Sequence, residues 1–277
     1  MRPAVRNGRE MERSASCIFS TVMQQKLTTV VSSRAAPPLD LIRGASLFLD
    51  FDGTLVEIAD RPDAVVVSGR LRDVLTALDV ALQGRIAIVT GRPLEEVEEL
   101  LGLAQLTISG SHGAETLWPD GRRTRAQPPA WLGPTASRLE GFSRDRPGVL
   151  VERKPFGVAL HYRRAPDAER ACLRFAESLA QTRDIVLLRG KMVVELRTPG
   201  SDKGVAVSAF MAEERMSGTV PLFLGDDVTD EAAFLQVRTL GGAGILVGED
   251  RPSAARYRLG SVADTLSWLE AAVRTIT

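Results

Sequence analysis

The chain has 277 residues, 44% of them hydrophobic, with 35 Lys and Arg balanced by 35 Asp and Glu. That length supplies one large domain or two modest ones, and the charge balance leaves no global field to draw in nucleic acid or an anionic membrane. No apolar run approaches the roughly 20 residues that span a bilayer. The only cysteines, Cys17 and Cys172, make neither a disulfide framework nor a zinc cluster and suit a reducing, cytoplasmic setting.

The first forty residues carry Arg2, Arg6, Arg9, Arg13 and Arg34 among serines and threonines, with few acids. The apolar stretch 17–22 is too short and too interrupted for a secretory signal. A transit peptide fits the composition. The expectation, however, is a disordered extension over 1–40, or an initiation codon set too early with Met11 or Met23 as the true start. Folding should begin after Ala35-Ala36-Pro37-Pro38.

Ser46-Leu47-Phe48-Leu49 then runs into Asp50-Phe51-Asp52-Gly53-Thr54-Leu55. An uninterrupted apolar run suits a central parallel strand buried on both faces. Asp50 and Asp52 fall at its carboxyl end, on one side of the pleat if the strand geometry persists. Two carboxylates so close need a cation or a raised pKa to coexist. Leu71, Val74, Leu75, Leu78 and Leu82 repeat at helical spacing, and Arg85-Ile86-Ala87-Ile88-Val89-Thr90-Gly91-Arg92 reads as a second buried strand ending in polar residues. Pro93 suits the first turn of a helix carrying Leu94, Val97 and Leu101. Another strand leads to Gly110-Ser111-His112-Gly113-Ala114-Glu115. This alternation predicts a doubly wound α/β unit over 41–126.

From about Gln127 the pattern changes to helix (130–142), strand (148–154), strand (156–163), helix (167–182) and two more strands (185–188 and 191–196). Helix-strand-strand twice over predicts an inserted antiparallel α+β layer, αββαββ, over 127–198. Val158, Leu160, Met192, Val194 and Leu196 share one face, which would pack on the helices. Glu152, Lys154, His161, Arg163, Lys191 and Glu195 fall on the other. That polar face is either a solvated outer surface or the lining of a site for a hydroxyl-rich ligand. The first pattern resumes over 199–277: Lys203 opens a helix, Val220-Pro221-Leu222-Phe223-Leu224 ends in Gly225-Asp226-Asp227-Val228-Thr229-Asp230, and Ser261 starts the last helix.

Asp50 and Asp52, Thr90, and Asp226 and Asp227 thus end three separate strands, with Lys203 at a helix start. Carboxylates without histidine or cysteine make a hard oxygen site suited to Mg2+, and Thr90 and Lys203 are natural phosphate partners. Read alone, Asp226-Asp227 would be a helix N-cap cluster.

Asp-x-Asp-Gly-Thr, a Thr ending the second strand, a lysine and Gly-Asp-Asp-x-x-Asp, in this order, resemble the haloacid dehalogenase-like (HAD) phosphohydrolases. The resemblance implies a mostly parallel, Rossmann-like core with an inserted cap. It makes Asp50 the nucleophile, Asp52 the general acid and base, and Thr90 and Lys203 the phosphate-binding pair. Asp50, the Asp52 carbonyl and Asp226 would hold Mg2+, with Asp227 assisting through water and Asp230 orienting its neighbours. The stretches 151–163 and 190–195, with Arg61-Pro62-Asp63-Ala64 and Thr90-Gly91-Arg92, resemble the trehalose-6-phosphate phosphatases from residue 41 onward. That likeness implies a small sugar phosphate as partner and sugar binding by Glu152, Lys154, His161, Lys191 and Glu195. It leaves roles for Arg92, Arg163, His112 and Glu115 open, with turn stabilisation an equal reading of His112. Phosphatases of sucrose phosphate or mannosyl phosphate, a non-catalytic sugar-phosphate sensor, and a mutase that would shield the aspartyl phosphate from water are the rival readings. Hinges are expected near Gln127 and at Thr198-Pro199-Gly200.

Overall fold

Ala45–Leu49 forms β1, and all five of its residues are buried. In the computed structural model, which describes residues 34–59, 61, 64–181, 184–200 and 202–276, this strand is the centre of an eight-stranded sheet. β2 (Ile86–Val89), β3 (Thr107–Gly110), β4 (Glu115–Leu117) and β5 (Arg123–Arg125) extend it on one side. β10 (Val220–Gly225), β11 (Ala243–Val247) and β12 (Tyr257–Leu259) extend it on the other. Pairing is parallel from β12 through β3 and antiparallel only at β4 and β5. β5 exposes every residue and β12 has three, so neither carries the apolar run that marks a strand in sequence.

Helices cover both faces. On one, Leu47 and Leu49 join α1 (Gly69–Ala81), α2 (Leu94–Leu101) and α7 (Val262–Val273) in a single core. On the other, Phe48, Val89 and Phe223 pack with α5 (Lys203–Met211) and α6 (Glu231–Thr239). Three helix starts are capped by side chains: Ser261, where the sequence placed the last helix start, accepts from Asp264 N–H, and Ser68 and Asp202 accept from Leu71 and Val205 N–H groups.

Between β5 and α5 lies the second layer. Its antiparallel sheet, ordered β6 (Leu150–Arg153), β7 (Gly157–His161), β9 (Val193–Arg197), β8 (Val186–Gly190), is backed by α3 (Leu132–Ser143) and α4 (Glu169–Leu179). Val158, Leu160, Val194 and Leu196 are fully buried against Ala136, Leu139, Cys172 and Ala176. The element order is αββαββ, and the apolar face is the one the two-residue period selects.

The expected extension over 1–40 is corrected in part; residues 1–33 lie outside the described residues. Residues 34–40 belong to the packed body. Pro37 is buried, its carbonyl accepts from Trp268 Nε1 at 2.9 Å, and the Ala35 carbonyl accepts from Arg258 N–H at 3.1 Å. Backbone and ring contacts of this kind leave no periodic trace in the sequence.

Candidate active site

β1 lies between β10 and β2, and the strand order reverses between β1 and β10. Open parallel sheets bind ligands at such a switch point, beyond the carboxyl ends of the strands. Asp50 follows β1, Thr90 follows β2 and Asp226 follows β10, so the three sequence-predicted strand ends share one crevice. Lys203, the first residue of α5, reaches across it: its Nζ lies 2.6 Å from Asp50 Oδ1 and 2.6 Å from Asp230 Oδ1.

One carboxylate oxygen from each of Asp50, Asp226 and Asp230 lies within 4.8 Å of the others, and all three residues are buried. Burial, then Asp230, pushes the Asp50 carboxyl well above its usual range, against the pull of Lys203. Burial and Asp230 likewise push Asp226 up to about 6, although Lys191 Nζ stands 2.7 Å from its Oδ2. Burial would lower the Lys203 ammonium, but Asp230 and Asp50 outweigh it and raise its pKa. Three acids against two lysines leave an excess of negative charge that a further cation would relieve. The donor set is all oxygen, which fits a hard divalent ion such as Mg2+. The backbone also makes room for it. Gly53 has φ +78°, and a Cβ there would fall 2.3 Å from Asp226 Oδ2, so only glycine lets the Asp52-Gly53 turn come this close.

Asp52 sits beside this cluster in a two-pronged ion pair, accepting from Arg92 Nε at 2.6 Å and Nη2 at 2.9 Å. Arg92 also pairs with Glu96, one helical turn on. The fork fixes the plane of the Asp52 carboxylate. The Thr90 hydroxyl accepts from Arg92 N–H at 3.1 Å and lines the crevice. Asp227 is not the third acid of the cluster. Its Oδ1 accepts from Val228 N–H, while Asp230 Oδ2 accepts from Asp227 N–H at 2.9 Å. This reciprocal cap turns Asp227 toward the rim and draws Asp230 in.

The polar face of the second layer forms the roof of the crevice, not a solvated outer surface. Glu152, Lys154, His161, Arg163, Lys191 and Glu195 line the same cavity, of about 210 Å³, as Asp50, Asp52, Thr90, Lys203 and Asp226. Strand pairing places Glu152 opposite Ala159 and Ala159 opposite Glu195, a row across three strands. Glu152 accepts from His161 Nε2 at 2.6 Å, and Glu195 accepts from Lys154 Nζ at 2.7 Å. Burial would raise the Glu195 carboxyl, but Lys154 and His112 hold it far below the usual carboxylate range. Contacts that tie roof to floor include Lys154 to the Gly91 carbonyl at 3.4 Å, Glu195 to His112 at 3.6 Å, and Lys191 to Asp226.

His112 supports a turn and the roof at once. It adopts φ +57°, and its ring stands where a Cβ at Gly91 would lie only 2.6 Å from Nε2. Glu115 is structural: it accepts from Leu94 N–H, at the start of α2, and from Arg125. Sequence reasoning did not place the Arg92 fork or Arg251, whose guanidinium donates to the Asp227 carbonyl at 2.7 Å. The only sequence signal for Arg92 was its place after Thr90-Gly91, and Arg251 sits in a loop with none.

With this geometry in view, comparison with known proteins is decisive. The profile of the family described as trehalose-phosphatase matches residues 48–263. The chain belongs to the trehalose-phosphatase family. It is 41% identical over 219 residues to a probable trehalose-phosphate phosphatase of Sinorhizobium fredii (strain NBRC 101917 / NGR234), covering 78% of this chain and 82% of that one. To the trehalose-6-phosphate phosphatase of Escherichia coli (strain K12) it is 38% identical over 225 residues, covering 80% and 84%. A solved trehalose-6-phosphate phosphatase related protein superposes with a TM-score of 0.70 at 28% identity, over 83% of this chain and 97% of that one. A haloacid dehalogenase-like hydrolase of B. subtilis, at 14% identity and a TM-score of 0.57 over 81% and 99%, shares the fold. Family membership and the core-plus-cap fold are thus as the motifs led us to expect, and the trehalose-phosphatase match spans every site residue from Asp50 to Asp230.

Proposed function

We propose that this chain hydrolyses trehalose 6-phosphate to trehalose and phosphate, with 41–126 and 199–277 as core and 127–198 as cap. One observation carries the reading: a single cavity has a phosphoryl-transfer floor of carboxylates and lysine beneath a roof of paired polar side chains suited to a sugar. Asp50 is the nucleophile. One of its oxygens bonds to phosphorus as the bond from phosphorus to the sugar oxygen breaks, leaving an aspartyl phosphate. Asp52 gives a proton to the departing oxygen, then takes one from the water that splits the aspartyl phosphate. The Thr90 hydroxyl and Lys203 ammonium hold phosphoryl oxygens. At about 4 Å and an effective dielectric near 20, each unit of repulsion between carboxylate and phosphate is worth about 4 kcal/mol, so a buried ammonium on Asp50 matters. The Asp50 and Asp226 carboxylates and the Asp52 carbonyl would hold Mg2+, with Asp227 reaching it at most through water; when bound it supplies charge neutralisation at the phosphoryl group.

Glu152, Lys154, His161, Lys191 and Glu195 bind the disaccharide and exclude water. No helix among the described residues is long and apolar enough to cross a membrane, and we place the enzyme's work in the cytoplasm on a small sugar phosphate, without nucleic acid. The test is phosphate release from trehalose 6-phosphate, sucrose 6-phosphate and a mannosyl phosphate, each with and without a chelator. Release from the first alone, abolished by chelation and restored by Mg2+, is expected. Equal rates on all three would overturn the specificity. Tight binding of trehalose 6-phosphate without release from any ester would make the chain a sensor.

A further inference from the structure

The Asp226-Asp227 turn is gripped from two sides. From within, Asp230 accepts the Asp227 N–H with one oxygen and holds Lys203 with the other. From outside, Arg251 Nη2 donates to the Asp227 carbonyl at 2.7 Å and, at 3.5 Å, to the Asp226 carbonyl. Arg251 Nη1 pairs with Glu231, in the first turn of α6, and the other Glu231 oxygen accepts the Ala254 N–H at 2.8 Å. Residues 249–255 are therefore strapped onto the carbonyl side of the turn. The strap is anchored in its turn by Arg34, which donates to the carbonyls of Ala255, Arg251 and Ser253 at 2.9–3.0 Å and pairs with Asp250.

Holding both carbonyls restricts the ψ angles of Asp226 and Asp227, and with them the direction in which the Asp226 carboxylate leaves the backbone. Asp226 follows a strand end in a loop; the Asp227 carbonyl also accepts the Asp230 N–H at 3.1 Å, so what Arg251 adds is the hold on the Asp226 carbonyl and the link from the turn to the strap. The Arg251 charge is compensated by Glu231, and its contacts are to carbonyls, not to the carboxylate itself. It can thus orient a cation ligand without competing for it. We propose that Arg251 is a positioning residue for the divalent cation, presenting the Asp226 carboxylate, and that Arg34 keeps Arg251 in place through the strap. This rests on the reading that Asp226 is a metal ligand.

The test is Mn2+ binding to the full chain without substrate, followed by the electron paramagnetic resonance signal of free Mn2+, for wild type, Asp226→Asn, Arg251→Gln, Arg251→Lys and Arg34→Gln. Melting of each metal-free protein is measured alongside. Wild type should show one tight site and Asp226→Asn should lose it. Arg251→Gln should weaken binding by about tenfold or more, in the range seen when partners of metal ligands are removed. Arg251→Lys, which keeps the charge but not the fork, should fall between, and Arg34→Gln should shift in the same direction by less. A fold clamp alone would lower the metal-free melting temperature and leave Mn2+ affinity at the wild-type value; that result overturns the proposal. If Arg251→Gln does not fold, wild-type affinity in Arg251→Lys and Arg34→Gln overturns it equally. Wild-type affinity in Asp226→Asn would instead defeat the metal-ligand reading, and the proposal with it.

Discussion

Asp50 is buried in contact with one lysine and near two further acids, and this sets what its replacement should do. Asp50→Asn keeps the shape and removes the proposed nucleophile. Phosphate release should fall to the blank, and acid-quenched protein should retain no phosphoryl label from radioactive substrate. Lys203 is 3% exposed, and Lys203→Met would leave Asp50 and Asp230 facing each other uncompensated. Removing one partner of a buried ion pair costs about 3–5 kcal/mol, so urea unfolding of the metal-free variant should show a loss of that order. A change below about 1 kcal/mol would mean that the acids take up protons instead. The pairing of Asp50 with a lysine was legible in the motif order. That Asp230, not Asp227, completes the acid cluster was not, because it depends on which of two acids three residues apart caps the turn.

In the proposed function, the cap sheet converts residue spacing into recognition. A period of two puts Glu152, Lys154, His161 and Glu195 on one face, and β7 and β9 bring them into register. Lys154 touches both Glu195 and the Gly91 carbonyl, so Lys154→Ala should raise KM for trehalose 6-phosphate by roughly tenfold, the size of one charge-assisted hydrogen bond. Steady-state kinetics should show kcat changed only a few-fold; an unchanged KM would remove Lys154 from the sugar site. Glu195 adds a pH signature. Its folded pKa lies below the ordinary 4.5, so its contribution to stability is present above that value and is lost as pH falls through the folded pKa. Melting curves of Glu195→Gln should therefore lack part of the acid destabilisation that wild type shows below pH about 4.5.

At the scale of the whole molecule, the acid cluster works against the metal-free fold at neutral pH. Asp226 is pushed up to about 6 from 3.8, so between those values the folded chain binds a proton that the unfolded chain has released. Stability from this group therefore rises as pH falls through that window. Burial lowers the His112 pKa, which acts in the opposite sense, so the difference between wild type and Asp226→Asn is the quantity to measure. Without metal, wild type should gain on the variant in melting temperature from pH 7 to pH 5. Mg2+ at neutral pH should raise the wild-type melting temperature and shrink that gain, since an ion that binds only the folded state stabilises it by mass action. A pH-independent difference would show that the cluster is less strained than its burial implies.

Local chemistry alone determined much of this protein. Apolar runs ending in acids, a hydroxyl or glycine named the central strands and their mouths. Periods of 3.6 and two separated helices from strands and the packed face of the cap from its polar face. Each of these follows from backbone geometry acting within a few residues. Only the tertiary structure decided whether that polar face met solvent or the core, because the answer lies in contacts such as Lys154 with Gly91 and Lys191 with Asp226, made between residues 63 and 35 positions apart. It also decided that Arg34, Arg92 and Arg251 brace the site, since an arginine reaching a backbone carbonyl or a distant acid repeats at no period and leaves no pattern to read.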